Sequence, residues 1–77
     1  MELFDNLPDE RKRAILLQTQ EGLLFELVPL IVRNGIDPSD FDELNPTATV
    51  EELANTIDAA RIYQICESLE IIRTKLS

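Results

Sequence analysis

The chain has no histidine and no tryptophan, a single cysteine at position 66, one tyrosine and two glycines in 77 residues. It also has no basic side chain between Arg33 and Arg61. Each absence excludes something. One cysteine cannot form an internal disulfide, and one thiol without histidine cannot build the usual four-ligand zinc site within one chain. Without histidine there is no residue of the kind that most often serves as general base at neutral pH, and no partner to activate Cys66 as a nucleophile. With no glycine-rich phosphate loop either, catalysis is not expected. No uninterrupted apolar run reaches the roughly 18 residues of a membrane span, and the first residues are acidic where a secretion signal is basic and then apolar. The expectation is a cytoplasmic protein with no membrane contact.

What is present is acid. The formal net charge is −8 and the pI about 4.3, a field that disfavours direct nucleic-acid binding. Seven carboxylates fill the stretch without bases: Asp37, Asp40, Asp42, Glu43, Glu51, Glu52 and Asp58. The one basic cluster, Arg11-Lys12-Arg13, follows Asp9 and Glu10 and reads as the first turns of a helix.

Periodicity makes the chain all-α, one small domain over residues 1–77. Residues 1–6 form an arm. A helix over 7–34 starts at Asp5-Asn6-Leu7-Pro8, with Asn6 or Asp5 as cap, and ends at Asn34-Gly35. Its apolar stripe is Ala14, Leu17, Leu24, Val28 and Ile31, widened by Leu16, Leu23, Leu27 and Leu30. Pro29 predicts a kink near Phe25 and Glu26. A short helix over 38–44 should dip Phe41 and Leu44 into the core. Thr49-Val50-Glu51-Glu52 has the capping-box pattern, predicting a last helix over 50–75 with a stripe of Val50, Leu53, Ile57, Ile62, Ile65, Leu69, Ile72 and Leu76.

These elements predict a helical hairpin, two long helices joined by a short acidic one. Both stripes exceed the arc of about 100° that a surface helix buries, and a domain this small needs outside help with its core. A homodimeric four-helix bundle answers both, with Leu24, Val28, Ile31, Ile62, Ile65, Leu69 and Ile72 as the self-association face.

Three further constellations are weighed. Asp40, Asp42 and Glu51 fit positions one, three and twelve of an EF-hand loop, but Leu44 and Asn45 occupy the fifth and sixth, where an oxygen ligand and glycine belong. Glu67 and Glu70 share a helix face, yet no second pair completes a metal or acid–base site; Arg73 beyond them suits a solvated face. Tyr63 and Cys66 are one turn apart and read as packing. No metal, cofactor or catalytic residue is assigned.

Glu26-Leu27-Val28, Asn34-Gly35-Ile36-Asp37 and Thr49-Val50-Glu51-Glu52-Leu53 resemble the second half of acyl carrier proteins, over about thirty residues. That family is small, acidic and helical, and the resemblance implies a prosthetic group on a serine in an Asp-Ser-Leu motif. Here Gln20-Glu21-Gly22 occupies that register and no serine precedes Ser39, so the attachment point is missing.

The functional expectation is a non-catalytic protein–protein interaction module, an adaptor, assembly chaperone or regulator of bacterial or phage type. It binds a basic partner surface through Asp37, Asp40, Asp42, Glu43, Glu51 and Glu52. The alternatives are a nucleic-acid mimic that inhibits a DNA- or RNA-binding protein, and a carrier or helical carboxylate enzyme.

Overall fold

The computed structural model describes residues 4–77, and Leu3 of the N-terminal arm lies outside them. Every regular element among the described residues is helical. Phe4–Asn6 is a 3₁₀ turn closed by the Leu7 amide donating to the Phe4 carbonyl at 3.1 Å. Helix α1 runs Asp9–Arg33, a 3₁₀ turn occupies Pro38–Asp40, the single turn α2 spans Thr47–Val50, and α3 runs Thr56–Leu76.

The start of α1 differs from the expectation. Pro8 holds the flanking position, its carbonyl accepting from the Lys12 amide at 3.0 Å, and neither Asp5 nor Asn6 caps through its side chain. Asp9 and Glu10 still place negative charge on the positive end of the dipole. Beyond them α1 passes through Gly22 and Pro29 as one unbroken helix. Pro29 and Phe25 both lie on the exposed side. Water can therefore satisfy the Phe25 carbonyl that Pro29 leaves without a donor, which removes the main reason for the helix to break.

The end of α1 matches the expected left-handed cap. Gly35 has φ 79°, its amide donates to the Val32 carbonyl at 3.0 Å, and the Ile36 amide reaches the Ile31 carbonyl at 3.1 Å. This is the Schellman pairing, which satisfies two carbonyls that the helix would otherwise leave bare and brings Ile36 over the last turn.

Two later expectations need correction. The helix predicted over 38–44 ends at Asp40. Phe41 is extended, and the Asp42 side chain accepts from the Leu44 amide at 3.0 Å, a local turn that competes with helix. Phe41 packs against the core but Leu44 is left exposed. The capping box at Thr49 does not form either. The Thr49 amide already donates to the Pro46 carbonyl at 3.2 Å, so it has no need of Glu52. The long helix starts six residues later than expected, at Thr56, where the Asn55 side chain accepts from the amides of Ile57 and Asp58 at 3.1 Å.

Helices α1 and α3 lie side by side with opposite direction. The Arg33–Asp58 pair joins the end of α1 to the start of α3, and an Arg13 guanidinium nitrogen reaches the Leu76 carbonyl at the other extreme. The core is concentrated at one end. Leu27, Leu30 and Ile31 of α1 meet Ile62, Ile65, Cys66 and Leu69 of α3, with Val50 of α2 closing the end. Among the described residues nothing before Leu27 is fully buried. The molecule measures 43 × 24 × 17 Å, a flat rod rather than a sphere.

Candidate functional site

The acidic segment sorts into carboxylates the fold uses and carboxylates it does not. Asp58 is the most used. It sits on the core side of the first turn of α3, 3% exposed. Its Oδ2 accepts from Arg33 Nε at 2.7 Å and from Asn34 Nδ2 at 2.9 Å, and its Oδ1 pairs with Arg33 Nη2. The Arg33 guanidinium, aided by Asn34, holds the Asp58 carboxyl below the usual carboxylate range and is itself raised in return. A buried carboxylate needs such a partner, and the pair ties the C-terminus of α1 to the N-terminus of α3. Because Asp58 takes the inward position, Ile57 is turned out and 81% exposed, against its expected place in the stripe.

Asp37 accepts from the Ser39 amide at 2.9 Å and opens the 3₁₀ turn. Asp42 holds its own loop as described above. Glu43 pairs with Arg73, which also donates to Gln20, so the acidic loop is fastened across to α3. Arg73 thus serves Glu43 and not Glu70. Asp40, Glu51 and Glu52 are exposed and make no ion pair among the described residues.

The cations facing this end are already engaged: Arg33 with Asp58, Arg73 with Glu43, and Arg61 with Glu26 across the two long helices. The Arg61 hydrogen bonds lower the Glu26 carboxyl below its ordinary range. The acidic end therefore carries uncompensated negative charge beside cations that are spoken for.

The structure also places the three constellations that the sequence offers and that carry no assigned chemistry. No group of three or more His, Cys, Asp or Glu side chains converges among the described residues, so Asp40, Asp42 and Glu51 are not brought together. Glu67 and Glu70 are exposed on α3 and line a shallow hollow with Glu43, Tyr63 and Cys66. Cys66 is buried, and burial pushes its thiol up, away from the reactive thiolate.

The residues expected to mediate self-association divide. Ile31, Ile62, Ile65, Leu69 and Ile72 are buried within the single chain and so cannot offer a face to a second one. Leu24 is half-buried and Val28 is 42% exposed. Val28 belongs instead to an outward stripe on α1 made of Leu17, Phe25, Val28 and Val32, and Leu24, packed against the core, lies at its edge with Glu21. Phe25 is its most prominent member, 77% exposed. Phe25 and Val32 were not among the expected contact residues, although their offsets from Leu17, at eight and fifteen residues, are helical. The acidic loop edges this stripe, since Phe41, Asp42, Glu43 and Leu44 line one hollow with Leu24, Leu27, Val28 and Ile31.

This double-faced helix has a further property. An 18-residue window of α1 has a mean hydropathy of 1.5 with at most two charged side chains, long and apolar enough by composition to cross a membrane, though no uninterrupted apolar run is that long. Only 17% of that window is buried. Both faces contribute to the value, which explains how a helix with one packed face can still reach it.

No protein-family model, curated protein or solved structure matches this chain.

Proposed function

We propose that the chain is a non-catalytic helical protein–protein interaction module that binds a basic surface of another protein through its acidic end. In this reading the working form is a dimer, two copies of the α1–α3 hairpin making a four-helix assembly. Asp40, Glu51 and Glu52 supply steering and specificity; Asp37, Asp42 and Glu43 shape the loop that presents them. The observation that carries this reading is the occupancy of the cations. Arg33, Arg61 and Arg73 each hold a carboxylate already, so the counter-charge for the free acids comes from outside the chain. Electrostatic contacts of this kind govern association rate and partner choice more than raw affinity.

A nucleic-acid mimic would need its carboxylates spread and free along one face. The internal pairing of Asp58, Glu43 and Glu26 weighs against that arrangement. The test is affinity capture with the wild-type chain and with the Asp40→Lys/Glu51→Lys/Glu52→Lys variant, followed by binding of each recovered protein in purified form. The reading expects a basic protein whose affinity falls about tenfold or more in the variant and weakens with salt. Equal affinity and equal salt dependence for the two chains would remove the acidic end from the account.

A further inference from the structure

Between α2 and α3 the chain departs from helix only briefly. Glu51 keeps helical backbone angles, φ −62° and ψ −23°, and its amide donates to the Thr47 carbonyl at 3.0 Å. By Thr56 the chain is helical again. Neither glycine nor proline occurs over residues 47–77, so nothing local forbids one continuous helix. The break is made at Asn55, whose backbone is extended at φ −85° and ψ 98° and whose side chain caps α3.

Packing explains the break. Arg33 and Asn34 hold Asp58 on the core side, which fixes the rotation of α3. At about 100° per residue, a helix continued backwards from that setting puts Val50, Leu53 and Ile57 in one row, about 120° from the row of Ile62, Ile65 and Leu69. Ile57, already within α3, obeys this and is 81% exposed. Val50 does not; the bend turns it into the core, where it is 2% exposed. The bent form thus has a buried valine and the Asn55 cap, and a continuous form would have the backbone hydrogen bonds of an unbroken helix. These opposing terms are of similar size.

We propose that residues 53–55 are a two-state joint. In the bent form, the one described above, Val50 is buried and Glu51 and Glu52 both face water. In the other form α2 and α3 are one helix. Val50 and Leu53 then join Ile57 in an exposed apolar row, and Glu51 turns to the side of the helix that carries Asp58. The joint therefore sets whether the two glutamates are presented together. That consequence rests on the proposed function; the joint itself does not.

The test is nuclear magnetic resonance of the chain alone. Backbone carbon shifts report helix residue by residue, and relaxation dispersion reports exchange between microseconds and milliseconds. Asn55→Ala removes the cap and installs the best helix former. It is expected to give helical shifts without interruption over residues 47–76 and to take Val50 out of the core. Thr56→Pro should lock the bent form. Proline suits the first position of a helix and the extended conformation that Asn55 already has, but in a continuous helix it would clash with the Glu52 carbonyl and offer it no amide. The wild type is expected to show exchange confined to residues 50–57, and Thr56→Pro to abolish it. A break that persists in Asn55→Ala with Val50 still buried overturns the joint. Exchange absent from the wild type, or unchanged in Thr56→Pro, overturns it as well, even where Asn55→Ala fails to fold. Either failure leaves the acidic-end reading standing, because that reading is tested by partner affinity.

Discussion

Helix α1 has two apolar faces of similar composition and opposite fates. One, with Leu27, Leu30 and Ile31, is closed by α3 and is almost wholly removed from water. The other, with Leu17, Phe25, Val28 and Val32, stays largely exposed among the described residues, edged only by the acidic loop. The difference is made by α3, which has one apolar side to offer. Asp58 and the Asn55 cap fix its rotation, so that Ile62, Ile65 and Leu69 point at the first face of α1. A helix that is apolar most of the way round, in a chain too short to wrap it, leaves surface that no internal packing can reach.

The sharpest way to separate the two faces is to damage the buried one. Ile62 is fully buried among the residues that join α1 to α3, and Ile62→Ala should destabilise the chain by about 2–5 kcal/mol in urea unfolding. A domain of this size has little more than that in hand, so the variant should be largely unfolded at 37 °C. If Ile62→Ala unfolded at the wild-type urea concentration, the packed face would be misassigned.

Next in size is the clasp at the packed end. Asp58→Asn keeps the shape and removes the charge facing Arg33, and should lower the melting temperature clearly but less than Ile62→Ala. Its pH dependence identifies the cause. The folded-state pKa of Asp58 lies below that of an unfolded carboxyl, about 3.9. The pair therefore contributes fully above that value and is lost as pH falls through the lowered one. The stability gap between wild type and Asp58→Asn should be constant from neutral pH to about pH 5 and should narrow below about pH 4. A gap that ignores pH would mean the loss is steric and not electrostatic.

The smallest effect belongs to the uncovered face. Val28→Glu should change the stability of the monomer by no more than about 0.5 kcal/mol, measured at a concentration where no dimer forms, because the side chain already borders water. A loss comparable with that of Ile62→Ala would mean that the stripe is internal after all.

Much of the fold was legible because it depends on local signals. The end of α1 followed from Asn34-Gly35, the acids of its first turn from Asp9 and Glu10, and the helical class from periodicity alone. What could not be read was the division of labour around α1. By spacing, the apolar set anchored on Ala14, Leu17, Leu24, Val28 and Ile31 is the primary stripe. In the structure Ala14, Leu17 and Val28 of that set face outward while Leu24 and Ile31 pack inward; of its widening, Leu16, Leu23, Leu27 and Leu30, the last three pack inward and Leu16 is half-buried. Spacing gives the width of an apolar arc and not which part of it a neighbour takes. The start of α3 is hidden from the sequence for a related reason. Thr49 and Asn55 both head plausible caps, and the choice between them depends on Arg33 drawing Asp58 inward from 25 residues away. At the acidic end, the carboxylates could be counted in the sequence, but which were already paired depended on where Arg33, Arg61 and Arg73 came to rest.

The central claim is that α1 has an internal face, packed by α3, and an external one that borders water. The most direct measurement is nuclear magnetic resonance of the dilute chain with a soluble paramagnetic probe. The account predicts that side-chain signals of Leu17, Phe25, Val28 and Val32 broaden with the probe, while those of Ile62, Ile65 and Leu69 stay sharp. Broadening of Ile62, Ile65 and Leu69, or protection of the other four, would contradict it.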